Sequence, residues 1–262
     1  MPLIQRDLNE KEERNNSRAV LAHVIPFVIW LTMMVWFDDP SWNYNARTLG
    51  GIILLFFYKP WKWYSKFNIC NLPYALIAGI FIFFIWIGFE SSLVISNFPI
   101  ITEWYDKIFV DLSEPFKTRE LYDRGDGIFV PFMVIEEGVH RGLHVYDPKV
   151  TGWISFTIHM IGTSVIIAVI EEFFYRGFAY RWMQGSPFFE MDAGRLHWGL
   201  LAIISIFFAV SHIEWGAAFI CGLVYGFLYI KIKDIWAAII AHGTTNFLLG
   251  WYVIIFDAYQ YW

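Results

Sequence analysis

The sequence predicts an all-α protein, a polytopic bundle of about seven or eight transmembrane helices. Two observations predict this class. Of the 262 residues, 57% are hydrophobic and 21% are aromatic, whereas soluble globular proteins contain about 45–50% apolar residues. Several apolar runs also approach the roughly 20 helical residues that cross a bilayer. The two cysteines, Cys70 and Cys221, are too few for a disulfide framework, so we expect two free thiols.

The N-terminal part predicts a polar tail followed by three spans. Residues 1–18 contain as many acids as bases, and no small-x-small cleavage site follows the next apolar run. We therefore predict a cytoplasmic tail and not a cleavable signal. Residues 19–96 hold the spans, predicted at 19–37, at 49–58 with its tryptophan-rich flanks, and at 72–95. The basic and aromatic segment 59–66 is interpreted as an interfacial belt, in preference to a lipid-binding or nucleic-acid-binding patch.

Residues 97–150 form the one long polar segment, which is predicted to be an extramembrane cap lying partly on the membrane surface. It contains an apolar stretch, 128–135, that is too short to cross a bilayer. If 128–144 nevertheless dips through the membrane, the number of spans rises from seven to eight.

Residues 151–262 are predicted to be the catalytic transmembrane core. Its spans are expected at 153–170, continuing as a helix to about 184, and at 198–212, 217–230 and 235–256. Short segments that carry Lys and Arg then fall on one side of the membrane: 1–18, 59–71, 181–197 and 231–234. The positive-inside rule predicts that this side is cytoplasmic, so the N-terminus is inside and the C-terminus outside.

A cluster of charges stands at the end of the fourth apolar run: Glu171, Glu172 and Arg176. A charged side chain at the centre of a bilayer costs about 2.5–3.5 kcal/mol, so such a group predicts a functional site. Residues four apart share a helical face, so Glu172 and Arg176 are expected to pair. Glu171 is rotated by about 100° and remains free to face another helix.

Two later spans offer partners for Glu171. His212 ends one of them, and His242 and Asn246 lie four apart on the last, which places both on one face. A rise of about 1.5 Å per residue puts Glu171, His212 and His242 about 11–21 Å deep, near mid-bilayer. A buried carboxylate with a histidine can activate water, and an imidazole with a carboxamide can stabilise an oxyanion. This set predicts hydrolysis of an amide bond inside the membrane.

The three motifs together resemble a known family. Glu171-Glu172-x-x-x-Arg176, Phe208-x-x-x-His212 and His242-x-x-x-Asn246 match, in order and spacing, the CAAX-protease and bacteriocin-processing (CPBP, or ABI) intramembrane proteases. The resemblance covers roughly residues 72–256. It implies a glutamate-dependent endopeptidase acting on a membrane-anchored protein or peptide without a cofactor. Glu171 and His212 would activate the water, His242 and Asn246 would form the oxyanion site, and Glu172 and Arg176 would be structural.

The C-terminal part carries a second resemblance. Residues 246–253, with Tyr261 and Trp262, are similar to CAAX-protease-related proteins of bacterial exosortase systems. This similarity implies a bacterial inner membrane and an association with a protein-sorting system. The segment 97–150 is longer than expected for such a protein. No nucleic-acid partner is predicted.

Three other interpretations remain open at this stage. Glu171, His212 and His242 form a ligand set that suits catalytic zinc, although no His-Glu-x-x-His motif is present. Glu136, His140 and His144 also have helical ligand spacing, but Gly138 and Gly142 each cost a helix roughly 1 kcal/mol, which favours a solvated stretch. Finally, the polar residues could associate helices in a non-catalytic scaffold or immunity-type protein. No span contains the Gly-x-Ser-Gly or Gly-x-Gly-Asp sequence of serine or aspartyl intramembrane proteases.

Overall fold

The fold is a bundle of helices, observed in a computed structural model. The structure describes residues 4–5, 9–36, 40–89, 97–105, 107–108, 147–212 and 214–256. Most of the predicted cap, including Glu136, His140 and His144, lies outside the described residues, as do the end of the third predicted span and residues 257–262.

Eight helices are described: α1 (Glu10–Trp36), α2 (Pro40–Tyr58), α3 (Leu72–Gly88), α4 (Pro99–Tyr105), α5 (Pro148–Trp182), α6 (Trp198–Val210), α7 (Trp215–Ile232) and α8 (Ile235–Phe256). Short 3₁₀ turns cover Pro60–Trp63, Ile69–Asn71 and Phe188–Glu190. Strands β1 (Ile4–Gln5) and β2 (Gly185–Ser186) form a parallel pair. The prediction of an all-helical architecture is therefore confirmed, apart from this two-residue pair.

Among the described residues, five helical segments are long and apolar enough to cross a membrane: Glu10–Met34, Ile69–Gly88, Pro148–Trp182, Trp215–Ile232 and Ile235–Phe256. The predicted seven or eight spans are therefore supported only in part. α6 occupies its predicted position but has 13 residues. α2 has 19 residues, but its first half, from Pro40 to Thr48, is rich in polar residues. Both α1 and α2 begin earlier than predicted because polar residues continue these helices beyond their apolar runs.

Four segments that lie between or before the helices contact one another. β1 pairs with β2, the Asn71 side chain and the Asn68 backbone donate to Asp234, and Lys233 forms an ion pair with Asp192 at 3.0 Å. These contacts bring together parts of 1–18, 59–71, 181–197 and 231–234. The four segments that were predicted to share one side of the membrane thus lie at one end of the bundle.

Small residues allow the helices around α8 to approach closely. A Cβ atom on Gly79 of α3 would lie 2.5 Å from the Ala241 carbonyl oxygen of α8. A Cβ atom on Gly243 would clash with the Ser164 carbonyl oxygen of α5. Glycine lets helix backbones pack at this separation, as is common where helices associate within membranes. α8 is consequently held between α3 and α5, and this position brings its polar face to the glutamates.

Candidate active site

The two glutamates lie in an unusual part of α5. A short α-helical segment, Ala168–Glu172, is flanked by π-helical turns at Gly162–Ile167 and Phe173–Ala179. Wide turns of this kind interrupt α-helices frequently at functional sites. Both glutamates are buried, with Glu171 7% exposed and Glu172 fully enclosed. The local geometry therefore changes at the place where the sequence puts charge.

Glu172 is the centre of a buried ionic network. Its Oε1 atom accepts hydrogen bonds from Arg176 Nη1 at 2.8 Å and from His242 Nδ1 at 3.0 Å. Arg176 also donates from Nη2 to the Gly222 carbonyl oxygen of α7 at 3.1 Å, and its guanidinium lies 4.7 Å from the centre of the Phe208 ring. The ion pair expected from the sequence spacing is present, and it additionally connects α5 with α6, α7 and α8.

His242 lies between the two glutamates. Since the Glu172 carboxylate accepts from Nδ1, that nitrogen carries a hydrogen, while Nε2 lies 3.9 Å from Glu171 Oε2. The imidazole stacks on the Tyr225 ring with centroids 5.3 Å apart and planes inclined by 21°. The Tyr225 hydroxyl donates to Thr245 Oγ1 at 2.6 Å. The orientation of His242 is thus set by a carboxylate on one side and an anchored aromatic ring on the other.

Glu171 faces the histidines, as the sequence predicts. Its Oε2 atom is buried and makes no hydrogen bond within the part of the chain that the structure describes. The carboxylate interacts electrostatically with the His212 imidazole as well as with His242. A buried acceptor without a protein donor is costly. Glu171 therefore has the free carboxylate oxygen that a water-activating base requires.

His212 follows the C-terminal end of α6 and is half-buried. Its Nδ1 atom is 2.7 Å from the Phe208 carbonyl oxygen. A carbonyl oxygen only accepts, so Nδ1 carries the hydrogen and a neutral His212 has its lone pair on Nε2. The ring also contacts the Trp86 ring of α3, with centroids 5.9 Å apart. This tautomer suits a histidine that takes a proton at Nε2.

Asn246 lies one turn after His242 and also faces α5. Its Nδ2 atom donates to the Thr163 carbonyl oxygen, within the first π-helical turn, at 2.8 Å. An amide nitrogen carries two hydrogens, so one of them is left for another acceptor. His242 and Asn246 share a helical face, as expected, but one amide hydrogen of Asn246 is already occupied by the protein.

The alternative ligand sets can be compared with this geometry. Among the described residues, no group of three or more His, Cys, Asp or Glu side chains is arranged to hold a metal ion. Glu171, His212 and His242 are neighbours, and because Nδ1 of each histidine donates to an oxygen atom of the protein, Nε2 is the nitrogen that each could offer to a metal. The set Glu136, His140 and His144 lies outside the described residues.

Several supporting residues were not identified from the sequence. Tyr225 and Thr245 support His242, Gly222 accepts from Arg176, Trp86 contacts His212, and Tyr175 connects α5 with α6. Tyr175 and Thr245 each directly precede a motif residue in the sequence, and this adjacency could have identified them as supporting residues. His159, twelve residues before Glu171 on α5, stacks on Tyr44 with centroids 3.7 Å apart.

Comparison with known proteins adds one finding. Residues 153–248 match the family model described as Type II CAAX prenyl endopeptidase Rce1-like. The matched segment contains Glu171, Glu172, Arg176, His212, His242 and Asn246. This part of the chain is therefore similar to CAAX endopeptidases of the Rce1-like type, a family that implies an intramembrane protease. The helices that could cross a membrane indicate an integral membrane protein.

The CAAX-protease resemblance is thus confirmed for residues 153–248, whereas the exosortase-associated subfamily stays a prediction. No curated protein and no solved structure shows a significant match to the chain.

Proposed function

We propose that this protein is an intramembrane endopeptidase that hydrolyses a peptide bond of a membrane-anchored protein or peptide. The observation that carries the proposal is the Glu171 carboxylate, buried in a helix that could cross a membrane, with one oxygen free of protein donors and two histidines beside it. Burying an ionisable group inside an apolar bundle costs free energy, and this cost favours a chemical role for Glu171.

In the proposed reaction, Glu171 takes one proton from a water molecule that also donates a hydrogen bond to His212, and the water oxygen attacks the substrate carbonyl carbon. The bond to nitrogen breaks when that proton passes to the leaving amine. Glu171 Oε2 and His212 Nε2 are the atoms free to take part, because His212 Nδ1 is engaged by the Phe208 carbonyl oxygen. General base catalysis of this kind contributes about 10²–10⁴-fold to the rate.

The negative oxygen of the tetrahedral intermediate would accept hydrogen bonds from His242 and Asn246. His242 already donates from Nδ1 to Glu172, so it can donate from Nε2 only as a doubly protonated imidazolium. An imidazolium would pair with the Glu172 carboxylate, which accepts from its Nδ1 atom and from Arg176. Glu172 and Arg176 then have a structural role, in which they hold the imidazole and connect four helices.

We further propose a seven-span topology with the N-terminus in the cytoplasm and the C-terminus outside. The support is geometric, since four loops or tails with basic residues meet at one end of the bundle. Such a topology requires α2 and α6 to cross as well. The host membrane would be a bacterial inner membrane, and an exosortase-type sorting system would be the partner. Residues 1–18 would be a tail, 19–96 the first three spans, 97–150 a cap and 151–262 the catalytic core.

The test is peptide cleavage by the protein purified in detergent, using a panel of membrane-anchored peptides. Wild type, Glu171→Gln and His212→Ala are compared with and without a strong zinc chelator. The matched control is Glu190→Gln, an exposed glutamate in the loop after α5. We expect about 10²–10⁴-fold lower kcat for Glu171→Gln and His212→Ala, about 10²–10³-fold lower kcat for Asn246→Asp, and full activity for the control and under chelator.

Other results would favour the other functions. Loss of activity under chelator, restored by added zinc, would make Glu171, His212 and His242 metal ligands. If Glu171→Gln retained wild-type kcat, the proposed mechanism would be wrong. Absence of cleavage for a panel that includes the native partner would favour a scaffold or immunity-type protein.

A further inference from the structure

A buried tyrosine connects the helix of Glu171 with the residue that precedes His212. Tyr175 lies four residues after Glu171 on α5 and is 3% exposed. Its hydroxyl is 3.3 Å from the Phe207 carbonyl oxygen and 3.3 Å from Ser211 Oγ, both at the C-terminal end of α6. The side chain therefore joins the proposed base to the helix that presents its partner.

The position of the Tyr175 hydroxyl is fixed by the packing of its ring. Three aromatic rings contact it at steep angles, with centroid distances of 5.2 Å to Phe27, 5.0 Å to Phe174 and 5.3 Å to Phe208. Edge-to-face contacts of this kind favour one ring orientation. Because the ring cannot turn freely, the hydroxyl acts as a fixed tether for the end of α6.

Ser211 carries this tether to His212. Ser211 Oγ donates to the Phe208 carbonyl oxygen at 2.7 Å and lies 3.2 Å from His212 Nδ1. The serine hydrogen is used by the Phe208 carbonyl, so the serine oxygen acts as an acceptor for His212 Nδ1 and shares the single hydroxyl hydrogen of Tyr175 with the Phe207 carbonyl oxygen. Both neighbours of Nδ1 are thus acceptors, which keeps the hydrogen of His212 on Nδ1 and the lone pair on Nε2.

The tether matters because α6 has little other contact with α5. α6 packs mainly along α7, and its closest approaches to α5 are at Phe173–Ala179, which includes Tyr175, and at Tyr180–Trp182. Without the Tyr175 hydroxyl, the last turn of α6 would be held to α5 mainly by the Phe208 ring, which contacts Tyr175 and Arg176. The spacing between His212 and Glu171 would then be less well defined.

We propose that Tyr175 is a positioning residue for His212: its hydroxyl, through Ser211 and the Phe207 carbonyl, fixes the imidazole with Nδ1 protonated and Nε2 directed to the reaction. The catalytic consequence rests on the endopeptidase function proposed above. The positioning itself is a property of the folded protein and can be measured without a substrate.

The experiment compares Tyr175→Phe, Ser211→Ala and the double variant with wild type in detergent. The matched control is Tyr180→Phe, which removes a hydroxyl on the same helix that donates to the Arg195 carbonyl oxygen at 2.7 Å, away from the site. Two quantities are measured: kcat and KM for peptide cleavage, and the tautomer of His212 by nitrogen NMR of ¹⁵N-histidine-labelled protein. The His212 signal is assigned by its loss in His212→Ala.

We expect Tyr175→Phe to lower kcat about three- to tenfold, the equivalent of one hydrogen bond, with KM unchanged. The fraction of His212 with the hydrogen on Nδ1 should fall in the same variant, because the Ser211 hydroxyl, no longer held by Tyr175, can turn its hydrogen from the Phe208 carbonyl towards Nδ1. The double variant should lose no more than the stronger single variant, because the two hydroxyls act in series. Tyr180→Phe should leave both kcat and the tautomer as in wild type.

An unchanged His212 tautomer in Tyr175→Phe overturns the proposal, as do multiplicative losses in the double variant. An equal loss of kcat in Tyr180→Phe would show general destabilisation and would overturn it too. Failure of the endopeptidase function looks different: Glu171→Gln and His212→Ala would then have no effect on activity, while the tautomer still shifts in Tyr175→Phe.

Discussion

Replacement of Arg176 by methionine should destabilise the protein strongly, and a second substitution should partly restore it. The Arg176 side chain is 2% exposed and the Glu172 side chain is fully buried. Without the guanidinium, the Glu172 carboxylate keeps His242 Nδ1 as its one donor within the described residues. An uncompensated buried charge costs about 3–5 kcal/mol. For a chain of this size, that corresponds to a fall in Tm of about 6–20 °C.

The assay is thermal unfolding in detergent of Arg176→Met, Glu172→Gln and the double variant. The double variant removes the orphaned charge, so its Tm should lie above that of Arg176→Met. Arg181→Met serves as the matched control, because Arg181 is a buried arginine of the same helix whose side chain donates to the backbone carbonyl oxygens of Phe189 and Met191. Adding Glu172→Gln to Arg181→Met should not raise the Tm of that control variant.

A double variant that is less stable than the sum of its two single losses would refute this reasoning. So would a wild-type Tm for Arg176→Met, because the guanidinium would then not be compensating the Glu172 charge.

Two further predictions concern packing and orientation. Gly222→Ala should lower the free energy of unfolding by about 1–3 kcal/mol, because its Cβ would lie 2.8 Å from the Ser205 backbone of α6. In the control Gly199→Ala, the added Cβ has no neighbour within 4 Å, so this variant should lose no stability. Equal losses of stability for the two variants in thermal unfolding would contradict this prediction. Cys70 is exposed and Cys221 is buried, so a membrane-impermeant maleimide should label only Cys70, from the cytoplasmic face, and Cys70→Ser should abolish labelling. Labelling from the outside would reverse the predicted orientation.

Much of the fold followed from short-range patterns in the sequence. Apolar runs placed α1, α3, α5, α7 and α8, because hydrophobic length reports directly on the burial of a helix in lipid. α2 was underestimated because its polar first half continues the helix without continuing the hydrophobic signal. The number of spans does not follow from apolar composition alone, because α6 is apolar but has only 13 residues.

The candidate residues of the site were also available from the sequence. The spacing of four between Glu172 and Arg176 predicts an ion pair on one helix, and the pair is present. The same spacing put His242 and Asn246 on one face of α8. Contacts within a helix can be predicted in this way because they depend on the helical repeat alone.

Contacts between helices were decided by the tertiary structure. His242 Nδ1 bonds to Glu172, not to the free Glu171, and Asn246 donates to the Thr163 carbonyl oxygen. Neither could be predicted, because they depend on the wide turns of α5 and on the close approach that Gly243 permits to the Ser164 carbonyl. The sequence determined by itself which polar groups enter the membrane and which lie on one helical face. The crossing and rotation of the helices decided which of those groups meet. Packing across the whole bundle sets the crossing and rotation, so they cannot be read from the pattern of any one helix.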